Sequence, residues 1–257
     1  MSAASVGQAE VRHSAIGRAK PASKRAPFLD KHFYFLMSLL IPAVVFYGFS
    51  HTVRENLLDA APPRPTLLWI HGALFVGWLC FFLFQSVLVQ THNVKLHRTT
   101  GWIGAGLAAT MVLVGVSTAI VMGRFHLIYP QPGAPPVKPF LIVPLFDMVC
   151  FSTFFSLAIL WRKKSEFHRR LILIATCGIT SAAFGRFPPA ILPRPWFYVG
   201  VDLLILLGVA RDLIVNRRIH QVYLYALPPL AACQLFVVYS FTHYLPWWQK
   251  VSNLLLG

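Results

Sequence analysis

Residues 66–90 read TLLWIHGALFVGWLCFFLFQSVLVQ, a run of 25 residues without a charged side chain. The hydrocarbon core of a bilayer is about 30 Å thick and an α-helix rises about 1.5 Å per residue, so about 20 apolar residues are enough to cross it. This segment predicts a transmembrane helix.

Apolar runs of similar length, bounded by charged residues, recur on both sides of this helix. Hydrophobic residues make up 56% of the 257 and charged residues 12%, about half of the roughly 25% that is usual in soluble domains. This composition excludes a water-soluble globule and predicts an all-α, polytopic transmembrane bundle of about seven spans. The predicted spans are 33–53, 66–90, 99–123, 139–161, 171–187, 196–215 and 221–244.

The charge of the chain is strongly positive and unevenly placed. Lys and Arg number 23 against 8 Asp and Glu, and they lie in short clusters between the apolar runs, which argues against a nucleic-acid partner. Sixteen of the 23 fall on the side of the N-terminus and seven on the other. The positive-inside rule therefore predicts a multi-pass protein of a bacterial inner membrane with its N-terminus inside and anionic headgroups as partners at the inner face. Residues 1–31 are predicted to be a basic, disordered cytoplasmic tail, 32–245 the transmembrane domain, and 246–257 a short outer tail.

Each predicted span that runs from inside to outside begins with a histidine near a basic residue: Lys31-His32, His97-Arg98, His168-Arg169, and His220 two positions after Arg218. Helix N-termini carry free amides and partial positive charge, so these residues are candidates to hold haem propionates, a quinone carbonyl or a phosphate headgroup. The alternative is that they are ordinary interfacial residues that follow the positive-inside bias.

Four ionisable residues fall inside the predicted spans, in the outer half of the membrane: His71, Asp147, Arg186 and Asp202. A charge within a bilayer is costly, so it is expected to be paired or to line a wet cavity. We expect Arg186, just before Pro188, to pair with Asp202 or Asp147. The alternatives are that Arg186 extends toward the outer surface or that the pair only locks helices together.

No metal site is predicted. The four cysteines lie singly in four apolar runs, and the chain has no C-x-x-C or H-E-x-x-H sequence.

Small residues recur every four positions in two spans and predict close helix packing there. In the third span they are Gly101, Ala105 and Ala109, followed by Gly115, Ala119 and Gly123, and the fifth span carries a similar pattern. These two spans are expected to be central.

Several of these segments occur together in a pattern that resembles a family of uncharacterised bacterial multi-span membrane proteins. They are His71 with Trp78 and Gln85, the run from His97 to Trp102, and the run from Phe167 to Thr176 followed by Arg186. The likeness covers about 65–220, and the family usually has Met where this chain has Ile172. The resemblance implies the architecture and carries no activity.

The chain also resembles, more loosely, the two-haem b-type transmembrane cytochromes, in which a helix His is followed by a Gln about four turns later and by a His shortly before a Gly. The matching residues are His71, Gln85, and His97 with Gly101. This resemblance implies haem b with histidine ligands.

Three functions follow as hypotheses. One is a redox membrane protein that binds haem or quinone, through His71, His97, Arg98, His168 and Arg169. Another is a small-solute or proton-coupled transporter that uses His71, Asp147, Arg186 and Asp202. The last is a non-catalytic assembly or accessory protein, which needs none of these residues.

Overall fold

A computed structural model describes residues 27–131 and 133–257, and these form an all-helical bundle without strands. Of the predicted 1–31 tail, only 27–31 lie in the described part, and they are helical. A short π-helical turn covers Arg54–Leu58. The α-helices are α1 (Pro27–Ser50), α2 (Thr66–Gln90), α3 (Val94–Ile128), α4 (Val137–Phe140), α5 (Ile142–Leu160), α6 (Ser165–Gly178), α7 (Ser181–Phe184), α8 (Phe197–Asn216), α9 (Gln221–His243) and α10 (Pro246–Leu256).

Five helical segments are long and apolar enough to cross a membrane, which confirms the multi-pass helical class. The fifth and sixth predicted spans are not among them, because α6 has only 14 residues and the 20-residue α8 carries Asp202, Arg211 and Asp212. The five segments are Phe28–Ser50, Thr66–Gln90, Val94–Ile128, Val137–Leu160 and Gln221–His243.

Helix α6 lies in the middle of the bundle, and α8 packs beside it with one apolar face exposed. Helix α6 packs against α1, α5, α8 and α9, and α8 packs against α1, α6 and α7. Helix α2 packs between α1 and α3, and α3 packs against α5. The sequence prediction that the fifth span is central is confirmed by α6, where Leu173, Thr176 and Cys177 are fully buried.

The packing face of α3 agrees with the predicted one in its second half only. Gly115 lies against Met148 and Gly123 lies against Leu256, as predicted. In the first half the predicted stripe through Gly101, Ala105 and Ala109 is wrong, because Gly104 is the glycine that lies against a neighbouring ring, that of Phe81, and Ala109 is exposed.

The predicted fifth span is interrupted. Helix α6 ends at Gly178, the Thr180 hydroxyl donates to the Cys177 carbonyl at 2.6 Å, and α7 begins at Ser181. A serine or threonine that bonds to the preceding turn competes with the helical hydrogen bonds. The break turns Ser181 toward α5.

The C-terminal segment, predicted to be a short tail, is helix α10. The Trp248 indole donates to the carbonyls of Lys138 and Pro139, at 3.1 and 3.0 Å, and Lys138 Nζ donates to Asn253 Oδ1 at 2.8 Å. These contacts dock α10 on α4 and α3. The segment is therefore an ordered part of the bundle.

Helices α1 and α6 begin, and α8 ends, at the same end of the bundle. We call it the arginine end, because Arg169, Arg170 and Arg211 lie there and are joined through shared carboxylates. The opposite end, with α4, α7 and α10, is called the far end.

Candidate functional site

At the arginine end, Arg170 on α6 and Asp212 on α8 form a buried, two-pronged ion pair. Arg170 Nε donates to Asp212 Oδ2 at 2.8 Å and Nη2 donates to Oδ1 at 2.5 Å. Both side chains are fully buried. A guanidinium and a carboxylate form two parallel hydrogen bonds in this geometry. Removing one partner of such a buried pair generally destabilises the fold strongly, because the other charge stays buried.

Other charges extend this pair to α1. Arg211 donates to Asp212 at 2.9 Å and also to Asp30 near the start of α1. Glu166 accepts from Arg170 at 2.7 Å and from Arg169 at 2.6 Å. We call Asp30, Glu166, Arg169, Arg170, Arg211 and Asp212 the ionic network.

Glu166 is the half-exposed acid of the network. Burial acts to raise the pKa of Glu166, but the hydrogen bonds and charges of Arg170 and Arg169 outweigh it and hold this pKa below its ordinary value. Glu166 is therefore ionised at neutral pH, and the network joins three arginines to three carboxylates.

The candidate histidines His97 and His168 come together beside this network, at the starts of α3 and α6. Their ring centroids are 6.3 Å apart and their ring planes are 78° apart. His168 Nδ1 lies 2.9 Å from the carbonyl oxygen of Ala158. Nδ1 thus carries the proton, and the Nε2 lone pair of His168 is left free.

The other histidine of the pair is held differently. His97 Nδ1 is buried without a partner in the described residues. The Gln85 side chain, on α2, donates to the Thr100 hydroxyl at 2.7 Å. Of the two imidazoles, His168 is therefore the one that is oriented by a backbone carbonyl, that of Ala158. Orientation by a carbonyl is usual for metal-bound histidines.

The arginines that follow these histidines have different roles. Arg98 is exposed and forms no hydrogen bond or ion pair within the described ranges. Arg169 binds Glu166, and its guanidinium lies 5.0 Å above the Tyr34 ring.

The four far-half candidates do not form one cluster. Asp147 is buried and accepts from the Ser181 hydroxyl and, at 3.0 Å, from the Tyr198 hydroxyl. The carboxyl group of Asp202 lies near the side chain of Gln234. His71 stacks on a neighbouring phenylalanine in α2, with centroids 4.1 Å apart, and its Nδ1 is buried without a partner in the described residues.

The expected pairing of Arg186 with Asp202 or Asp147 is wrong. Arg186 Nη1 donates to the Ala182 carbonyl at 2.5 Å, and its guanidinium lies 4.3 Å above the Phe49 ring. The break before α7 is the physical reason, because it presents Ser181 to Asp147 and turns Arg186 back toward α1. Among the described residues, no hydrogen bond or ion pair joins Arg186 to any of the other three far-half candidates.

Sequence reasoning missed Arg211 and Asp212, and it did not single out Glu166 as a site residue. A signal was present, because the chain has only eight acidic residues and three of them lie in its most basic segments. Asp30 precedes Lys31, Glu166 precedes Arg169, and Asp212 follows Arg211. An acid among many bases is a candidate for a structural ion pair.

Comparisons with protein families, with curated proteins and with solved structures found no match.

Proposed function

We propose that this chain is a redox membrane protein that binds one haem b between His97 and His168. The observation that carries the proposal is the 6.3 Å separation of their ring centroids. A metal–imidazole bond is about 2 Å long, so two rings at this separation would be able to hold one metal centre. The Ala158 carbonyl, which fixes the His168 tautomer, would support this role.

The surroundings of the pair fit the rest of this cofactor. Arg98, exposed and unpaired within the described ranges, would be available to bind a propionate. When bound, the haem would supply one-electron chemistry. The two histidines would hold it, and the Ala158 carbonyl fixes the orientation of His168.

The test is a dithionite-reduced minus air-oxidised visible spectrum of protein purified in detergent from haem-sufficient cells. The wild type is expected to show a Soret band that shifts on reduction, and His97→Ala or His168→Ala should abolish it. His243→Ala, at an exposed position at the end of α9, is the matched control and should keep the band. A colourless wild type, or a band that survives both histidine substitutions, would refute the proposal.

The break between α6 and α7 favours a second candidate, a proton-coupled or small-solute transporter. Transporters place their binding sites at interrupted helices, and here the break places Ser181 against the buried Asp147. In this proposal Asp147 binds the proton or solute, and His71, Arg186 and Asp202 lie in the same half of the membrane.

Proteoliposomes loaded with a pH-sensitive dye test the transporter. The wild type should dissipate an imposed pH gradient faster than empty vesicles, and Asp147→Asn should not. The exposed Asp59→Asn should behave like the wild type. A wild-type rate equal to that of empty vesicles would contradict proton coupling.

For the membrane arrangement, we propose seven crossings in a bacterial inner membrane, with α6 and α7 together as the fifth, α8 as the sixth and the arginine end in the cytoplasm. The support is the excess of basic residues at this end. The ionic network also supports this arrangement, because its ion pairs keep most of the charged side chains of α6 and α8 out of contact with lipid.

A further inference from the structure

A charged cavity of about 220 Å³ opens at the arginine end, among the start of α1, the start of α6, the end of α8 and the start of α9. Cations outnumber carboxylates on its walls. The charged and titratable lining residues are Arg169, Arg170, Arg218, His220, Asp30 and Glu166.

The carboxylates of this cavity are already engaged, whereas some of the donors are not. Asp30 accepts from Arg211, and Glu166 accepts from Arg169 and Arg170. Arg169 Nε is buried without a partner in the described residues, and Arg218 is exposed and forms no ion pair within them. The cavity therefore suits an anion.

His220 adds a further donor. Its Nδ1 accepts from the backbone N–H of Val222 at 3.2 Å, so the ring proton lies on Nε2. Burial, followed by the charge of Arg170, lowers the pKa of His220. The neutral ring with a free Nε2–H is thus the dominant form.

An apolar groove of about 600 Å³ runs beside this cavity, between α5 and α9. It extends from Trp161 to Phe146 on α5 and from Gln221 to Cys233 on α9. Fifteen residue steps along α5 correspond to about 22 Å, more than the roughly 15 Å of hydrocarbon in one leaflet. The groove is long enough for one lipid acyl chain.

The cavity and the groove adjoin. The rings of Phe167 and His220 meet edge to face with centroids 5.0 Å apart, and they stand between the two spaces. On α6, Glu166 and Arg170 line the cavity, and Phe167 and Leu171 line the groove. A charged site thus borders an apolar channel at one end of the bundle.

We propose that the two spaces form a binding site for one anionic glycerophospholipid. The phosphate accepts hydrogen bonds from Arg218 and His220 Nε2, beside the charge of Arg169, and one acyl chain lies in the groove between α5 and α9. Basic pockets between helices at the cytoplasmic side are known to hold anionic headgroups. An anionic lipid is preferred over a zwitterionic one because the cavity carboxylates already bind arginines and leave a positive surplus.

The test is the thermal unfolding midpoint in detergent, titrated with phosphatidylglycerol or with phosphatidylcholine of the same acyl chains. A ligand that binds only the folded state raises this midpoint, and the rise grows with the logarithm of the ratio of ligand concentration to dissociation constant. Phosphatidylglycerol should raise the unfolding midpoint at a lower concentration than phosphatidylcholine does. Arg218→Gln should increase the phosphatidylglycerol concentration needed by about tenfold, whereas Lys163→Gln, at an exposed position outside the cavity, should not.

A second pair of variants tests the groove. Cys233→Trp fills it from α9 and Val149→Trp fills it from α5, both from exposed positions, and each should weaken the effect of the lipid. Leu235→Trp, exposed on α9 outside the groove, is the control and should leave the effect unchanged.

Three outcomes would overturn the proposal. One is equal stabilisation of the wild type by the two lipids. Another is a loss in Lys163→Gln that equals the loss in Arg218→Gln. The third has two parts: inorganic phosphate alone stabilises the protein as much as phosphatidylglycerol does, and neither groove variant changes the effect of the lipid. This result would identify a site for a soluble anion.

Discussion

The buried pair of Arg170 and Asp212 makes the stability of the bundle depend on two side chains acting together. Replacing either one with leucine removes the two-pronged partner of a fully buried charge and leaves it only Glu166 or Arg211, which typically costs about 3 to 5 kcal/mol, whereas replacing both costs much less. We expect the double variant to unfold in detergent at a higher temperature than either single variant. Arg162→Leu, in the exposed loop before α6, should be close to neutral.

Strictly additive losses in Arg170→Leu and Asp212→Leu would contradict this account, because they would mean that the two residues do not stabilise each other. The sequence contains both residues but does not show that they form a pair, because 42 positions separate them. Hydrophobic periodicity identifies the helices, and the counts of basic residues identify the side of the membrane that each loop faces. They do not identify which helices face each other, so the Arg186 pairing was predicted wrongly and this pair was missed.

At the level of elements, α10 shows where hydropathy reasoning fails. Its 11 residues are too few to cross a bilayer, and adjacent tryptophans suggest only an interfacial anchor. In the structure Trp248 is 4% exposed and bonds to α4, whereas Trp247 is 44% exposed. Docking on a neighbouring element therefore decides whether this segment is ordered.

These tryptophans form a matched pair for a test of α10. Trp248→Phe removes the donor to the Lys138 and Pro139 carbonyls and leaves them unsatisfied, at a cost of about 1 to 3 kcal/mol. Trp247→Phe removes no such bond. We expect a lower thermal midpoint in detergent for the first variant and little change for the second. Equal midpoints would show that α10 does not depend on this contact.

The helix break near Ile179 is a second element-level difference. The sequence of the fifth span is apolar, and its Thr180 and Ser181 look like ordinary small residues of a packed helix. Their hydroxyls instead bond to the Cys177 carbonyl and to Asp147, and this choice depends on where α5 lies.

For the whole molecule, the proposed seven crossings can be tested through the positions of loops. The basic-residue excess predicts that the 162–164 loop is cytoplasmic and that Gly257 is on the opposite side. Paired reporter fusions, with alkaline phosphatase active only outside and green fluorescent protein fluorescent only inside, should give opposite results at these two sites. The same location for both would leave an even number of crossings between them and contradict the arrangement.

The central proposal is that His97 and His168 hold one haem, and the most direct measurement is the electron paramagnetic resonance spectrum of the air-oxidised protein. Two histidine ligands would give a low-spin ferric centre. The ring planes of the two histidines are 78° apart, and histidines held at this angle would give a strongly anisotropic low-spin signal. His97→Ala should convert it to a high-spin signal or remove it. A wild-type spectrum without a low-spin haem signal would contradict the claim.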